Sequence, residues 1–190
     1  DPADVLLTPD GQQLKDLAPG CVVATGAPRR QAQLLALRPD LKVCGIRGNV
    51  ETRIRKLMDG EFGGIIMAAA GLRRLGMEDR ISQVFSFDEF VPAPGQGIVV
   101  VQSLADSPWK NLWKKIDKPT VRLQAEIERK FSRLIGADCY TAAGCLLEIV
   151  GHQAQMRATV LSPDGTNCVR FTQAGPVAEA ETLLRAAANL

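Results

Sequence analysis

Eight basic residues fall in three short clusters: Arg29 and Arg30, then Arg47, Arg53, Arg55 and Lys56, then Arg73 and Arg74. Guanidinium groups grip carboxylates through two parallel charge-assisted hydrogen bonds, so clustered arginines suit a ligand that carries several carboxylates. With 23 lysines and arginines against 21 acids, the net charge is only +2, and any anion site must come from such local grouping. The charge pattern alone equally fits a solvated helix face with pairs such as Glu51 and Arg55. A nucleic-acid surface is disfavoured, because only 5% of residues are aromatic and none interleaves with the arginines as a stacking platform.

The second source of chemistry is thiol. Cys21, Cys44, Cys139, Cys145 and Cys168 are odd in number and widely spaced, with no CxxC pair and no histidine-bearing metal pattern. Free thiols in a reducing compartment, and no metal site, are expected. Taken alone, a lone cysteine reads as a small buried hydrophobe. His152 is the only histidine, lies between two strand candidates away from the arginines, and is expected to be structural or exposed.

These residues need elements to hold them. Residues 21–25 form a β-branched run that stops at Gly26, and Pro28 opens a helical stretch, 29–38, that ends before Pro39. The pattern repeats: 41–46 predicts a strand, 51–59 a helix closed by Gly60, 64–68 a strand, and 69–75 a helix ended by Gly76. Residues 84–87 and 97–102 predict further strands, with the proline- and glycine-rich stretch 91–97 between them as a hinge or crossover. Such alternation argues for a wound α/β layer with a largely parallel sheet, whose strand C-termini face the ligand crevice. Arg29, Arg30, Arg47 and Arg53 are expected to gather there, where helix N-termini add positive potential.

From residue 120 the pattern changes. An amphipathic helix to 134 places Leu123, Ile127, Phe131 and Leu134 on one face. Strands follow at 145–150, 154–161 and 166–172, with Pro163-Asp164-Gly165 as a hairpin turn, and a helix over 178–190 closes the chain. This predicts a small α+β domain with a three-stranded antiparallel sheet. No apolar run approaches the roughly 18 residues of a membrane span, and no signal peptide opens the chain, so it reads as soluble.

Four segments carry a resemblance: RRQAQLLALRPDL (29–41), IRGNVETRIRKLMDGEF (46–62), AAAGLRRLG (68–76) and PAPGQG (92–97). In order and spacing they resemble the porphobilinogen deaminase (hydroxymethylbilane synthase) family. DPADVLL near the start, AEIERKF at 125–131 and the cysteine at 139 extend the likeness over nearly the whole chain. The resemblance implies an enzyme that condenses porphobilinogen units head to tail into the linear tetrapyrrole hydroxymethylbilane, with release of ammonia, on a dipyrromethane primer tethered to one cysteine. Acetate and propionate groups on every ring would explain an arginine-lined cleft.

The resemblance further implies an α/β ligand-binding domain over 1–95, a wound mixed sheet of the periplasmic-binding-protein-like kind. A crossover segment of an incomplete first domain follows over 96–118, and a C-terminal α+β domain over 119–190. It assigns primer attachment to Cys139 and primer binding to Thr25, Arg29, Arg30, Arg53 and Gln96. Arg47, Arg53, Lys56 and Arg74 are assigned to substrate carboxylates. The leading part of the family sequence, with its catalytic aspartate, has no match, so no catalytic residue is expected in this chain. Asp1, Asp4 and Asp10 align with the interdomain connection and are given no role. The implied partners are porphobilinogen and pyrrole polycarboxylates, with a complementary N-terminal domain or larger assembly, in the cytoplasm or a plastid or mitochondrial matrix. Two departures stand out. Gly26-Ala27-Pro28 replaces a pair of serines and a hydrophobic residue, and 137–142 lacks the family's glycines before the cysteine and places Asp138 beside the thiol, where it repels an acidic primer. They also fit a degenerate, inactive homologue kept as a structural or interaction subunit.

Overall fold

The computed structural model describes residues 1–189 and sorts the buried hydrophobic residues into two packed units. In the first, β1 (Asp4–Leu7), β2 (Val22–Ala24), β3 (Lys42–Cys44), β4 (Gly64–Ala68) and β5 (Gln83–Val84) form one sheet in the order β3-β2-β4-β1-β5. Strand β2 runs parallel to β3 and β4, whereas β1 is antiparallel to β4 and β5, so the sheet is mixed. Helix α1 (Pro28–Leu37) connects β2 to β3, α2 (Val50–Met58) connects β3 back across β2 to β4, and α3 (Ala69–Arg74) follows β4 directly.

Pro28 starts α1 at a position where its missing N–H costs nothing, and the Asn49 side chain caps α2 by accepting from the Thr52 N–H at 2.9 Å. The two crossovers run in opposite directions along the sheet, which puts their helices on opposite faces. Side-chain alternation divides the core accordingly. Leu6, Val23 and Ile66 meet Leu34 of α1 with Phe85 and Phe90, while Val5, Leu7, Ala24, Ile65 and Met67 meet Leu57 of α2 and Leu72 of α3.

After α4 (Lys110–Ile116), the second unit is built from α5 (Pro119–Leu134), the antiparallel strands β6 (Ala143–Val150), β7 (Gln153–Leu161) and β8 (Cys168–Pro176), and α6 (Ala180–Ala188). Ile127 and Phe131 of α5 and Leu183 and Leu184 of α6 close over Cys145, Leu147 and Met156. Each such fully buried side chain contributes about 1.5–3 kcal/mol relative to exposure.

The units are docked. The Cys145 N–H donates to the Pro92 carbonyl at 2.9 Å, Arg157 pairs with Asp88 at 2.6 Å, and Arg170 donates to the Asp88 carbonyl at 2.7 Å. Ala32 of α1 packs on Ala142 and Leu161, and the hairpin turn at Gly165 lies against the backbone of α1.

Three expectations need correction, and two elements were missed. Residues 97–102 form no strand: Val99 and Val100 are 85% and 77% exposed, and among the described residues no strand lies beside them to pair with. The strand expected at 84–87 is confined to Gln83–Val84, since Phe85 turns into the core and stacks on Phe90 at 4.6 Å. Strand β1 and helix α4 were not expected. Leu134, the last residue of α5, is 60% exposed. Residue 190, in the expected closing helix, lies outside the described residues.

Candidate anion-binding site

At the C-terminal edge of β2 and β3, the two following turns and helix starts enclose an open cavity of about 880 Å³, within the usual range of ligand clefts. Its lining includes Thr25, Pro28, Arg30 and Gln31 from the first turn and helix, and Arg47, Arg53 and Lys56 from the second. Four cationic side chains and no acid line it. Parallel pairing of Val22–Ala24 with Lys42–Cys44 brings the two turns side by side. Helix α1 has no side-chain cap at Ala27, so its first-turn N–H groups add positive potential at the cavity wall.

The cations differ in how firmly they are held. Arg47 is exposed and pairs with no acid among the described residues. Arg53 spends its Nε–H on the Gly48 carbonyl at 2.8 Å, leaving the fork of its guanidinium free, and Lys56 lies 3.8 Å from Glu61. No Glu51–Arg55 pair is formed. Thr25 is buried, and its hydroxyl accepts from the Ala27 N–H at 3.3 Å.

Beneath the cavity lies a charge hub centred on Asp4, whose side chain is fully buried. Its carboxylate accepts from Arg29 at 2.7 Å, from Arg30 Nε at 2.8 Å and from Gln96 Nε2 at 2.9 Å. Gln96 Oε1 accepts in turn from Arg29 and Arg30, and its amide donates to the Pro2 carbonyl at 2.6 Å. Arg29 also donates to the Val91 carbonyl at 2.7 Å and lies over the Phe90 ring at 6.0 Å. Burial pulls the Arg29 guanidinium down from its ordinary pKa, and Asp4 pulls it back up.

The structure therefore places Arg29 and Gln96 below the cavity floor, not on it, because their polar atoms are already spent on Asp4 and the backbone. Arg74 stands exposed at the end of α3, outside the lining. Asp4 and Gln31 were missed. An acid opening the otherwise apolar run DVLL was the available signal for Asp4, since a charge is rarely buried without a partner.

Cys139 is exposed on the loop between α5 and β6. The neighbouring Asp138 turns its carboxylate onto its own loop, accepting from the Thr141 hydroxyl at 2.7 Å and the Tyr140 N–H at 2.9 Å. Those bonds, Thr141 first, hold it below the usual carboxylate range. Ala142 packs on Ala32, one turn along α1 from the cavity-lining Pro28. Three residues of chain reach at most about 10 Å, so the thiol is tethered near the cavity's helix. Cys145, by contrast, is buried, and burial pushes its thiol well above the ordinary value.

A mixed α/β unit with a cationic, acid-free cavity at its strand ends, and an α+β unit docked beside it, is the class of architecture the chain presents. The family model described as porphobilinogen deaminase, dipyromethane cofactor binding domain, matches residues 1–110. The chain is 41% identical over 184 residues to porphobilinogen deaminase of Nitrobacter hamburgensis, covering 96% of the chain and 58% of that protein. It is 41% identical to that of Thermus thermophilus, over 96% of the chain and 62% of the relative. To that of Clostridium acetobutylicum it is 45% identical, over 80% of the chain and 53% of the relative. The chain belongs to the porphobilinogen deaminase family. It spans between 53% and 62% of the length of these relatives. Among the described residues, no helix is long and apolar enough to cross a membrane.

Proposed function

We propose that this chain is the carboxylate-gripping and primer-bearing part of a hydroxymethylbilane synthase, which polymerises porphobilinogen into hydroxymethylbilane with loss of ammonia. The observation that carries the reading is the 880 Å³ cavity with four cations and no acid in its lining, in a chain of this family. Thr25, Arg30 and Arg53 hold the primer's carboxylates, while Arg47, Arg53 and Lys56 take those of the incoming pyrrole. Arg74 meets carboxylates farther along the chain, and Arg29 and Gln96 act from beneath by fixing Arg30. Bound through Cys139, the dipyrromethane supplies the free pyrrole α-position on which the chain grows. The group that handles protons comes from polypeptide beyond these 190 residues.

In this reading, residues 1–95 form the ligand-binding domain, with the wound topology of periplasmic binding proteins, and 119–190 the primer-bearing domain. Residues 96–118 belong to a further domain completed by other polypeptide. The exposure of Val99, Val100, Leu104 and Trp109, and the lack of a partner among the described residues for the buried Trp113 Nε1, support that assignment. Five free thiols fit a reducing compartment, the cytoplasm or an organelle matrix.

Intact mass tests the reading most directly. Given porphobilinogen and the complementary N-terminal polypeptide of a relative, the wild-type chain should gain one covalent dipyrromethane and turn colour with Ehrlich's reagent, and Cys139→Ser should do neither. A wild-type chain that stays unmodified under those conditions would favour the inactive homologue, for which the loss of the two serines before α1 speaks. The cavity has its own test in calorimetric titration with porphobilinogen. Arg53→Ala should weaken binding about tenfold, the worth of one charge-assisted hydrogen bond. Arg80→Ala, which removes an exposed residue outside the cavity, should leave it unchanged. Equal affinities for the two variants would remove Arg53 from the site.

A further inference from the structure

Glu128 stands in α5 of the second unit, yet only 3% of it is exposed. Its two oxygens are divided between the units. Oε1 accepts from the Leu147 N–H of β6 at 2.9 Å, and Oε2 accepts from the Gly95 N–H of the first unit's closing turn at 2.6 Å. Burial pushes this carboxyl above its ordinary value, and the two N–H donors pull the other way. A buried carboxylate with two backbone donors and no cation is costly to keep, and packing alone does not explain its contact with another unit's turn.

The turn it holds is the one that carries Gln96. Gly95 and Gly97 flank that residue at φ +76° and +77°, so Gln96 sits between the two least restricted kinds of backbone. The turn's own backbone holds it, among the described residues, by the Gln96 N–H to Ala93 carbonyl bond at 2.9 Å and the Ile98 N–H to Gly95 carbonyl bond at 3.2 Å, while the Gln96 amide is anchored on Pro2 and Asp4. The Gln96 side chain is the common acceptor for Arg29 and Arg30, at 3.2 and 3.3 Å, and these bonds have little length to spare before they fail.

We infer that Glu128 is a positioning residue for the cationic cavity: by pinning the Gly95 amide it sets Gln96, and through Gln96 it sets the guanidinium of Arg30. This rests on the carboxylate-cavity reading for its purpose, but not for its test. It makes the unit that bears Cys139 a structural support of the wall that receives carboxylates, so arginine geometry depends on the docking of the second unit. Glu128 touches no ligand in this scheme.

The experiment is NMR on the ¹⁵N-labelled 190-residue chain, following the Gly95 and Leu147 amides and the Arg30 Nε–H. In Glu128→Gln one acceptor oxygen remains and the other becomes a donor. The Gly95 amide is expected to exchange about tenfold faster, and the Arg30 Nε–H to shift and exchange severalfold faster. In a Gln96→Ala background the same substitution should move Arg30 no further. Should Glu128→Gln fail to fold, Glu128→Asp keeps the charge but shortens the reach, and the same loosening of Gly95 and Arg30 is expected. A loosened Gly95 with an unchanged Arg30 overturns the inference, as does a full effect on Arg30 without Gln96. Porphobilinogen titration of the same samples separates the two ideas: a wild type that binds none while its Arg30 follows Glu128 sinks the cavity reading alone.

Discussion

Asp4→Ala is expected to lower the stability of the first unit by about 3–5 kcal/mol, the usual cost of removing one member of a buried ion pair. The Asp4 side chain is fully buried and is the acid that neutralises Arg29, of which only 5% is exposed. Without it, a buried guanidinium keeps its charge and loses its counter-ion, and Arg30 and Gln96 each lose a hydrogen bond. A domain has only about 5–15 kcal/mol in total, so the denaturation midpoint should fall far, with strand β1 leaving the sheet first. Asp4→Asn keeps an acceptor and should be milder. Arg30→Ala leaves the Asp4–Arg29 pair intact and should cost less stability while weakening porphobilinogen binding. An Asp4→Ala chain that unfolds within about 1 kcal/mol of wild type in urea would show that the hub contributes little.

The second large effect is expected at the tip of the hairpin between β7 and β8. Gly165 has φ +73°, and a Cβ there would lie 2.4 Å from the Ala32 carbonyl oxygen and 2.6 Å from the Ala36 nitrogen, both backbone atoms of α1. Neither atom can rotate away. Gly165→Ala combines left-handed strain of roughly 1–2 kcal/mol with an overpacking cost of about 1–3 kcal/mol, and the hairpin must lift from α1. Gly151→Ala is the reference, because its φ of +60° carries the same backbone penalty while nothing lies within 4 Å of its Cβ. Thermal unfolding should therefore show Gly165→Ala clearly below Gly151→Ala, and exchange of the α1 amides should rise only in the former. Equal melting temperatures would mean the hairpin does not bear on α1.

Much of the fold could be read before any coordinates because its turns are punctuated. Gly26 with Pro28, Gly60 and Gly76 mark the ends of elements whose apolar pattern is locally complete. Strand β1 could not be read in the same way. It is four residues long, and its partners, Asp4 with Ala68 and Leu7 with Ile65, lie far along the chain. The error at 97–102 has the complementary cause: a β-branched run shows that a segment can pair, not that a partner exists beside it. In the site, Lys56, in the last turn of α2, was named only by the family resemblance, whereas Arg30, Arg47 and Arg53 were legible because turns and first helical turns after parallel strands face the crevice. Arg29 was not, since neighbouring helical residues point about 100° apart, and that rotation turns its side chain inward to Val91 while Arg30 reaches the cavity. Asp4 belongs to the same blind spot, because its role exists only once β1, α1 and the turn at Gln96 are assembled.

The meeting of Gln96 with Pro2 has a topological meaning. The chain enters the α/β unit at Pro2 and leaves it at Gly97, and at Gly97 a side chain would stand 2.2 Å from the carbonyl oxygen of Asp1. Entry and exit thus share one doorway, closed by a glycine because a Cβ there would collide with the backbone of Asp1 and Pro2. A unit whose ends touch is in effect a closed loop. Its ends could be spliced together and the chain opened at a distant turn without crossing any strand.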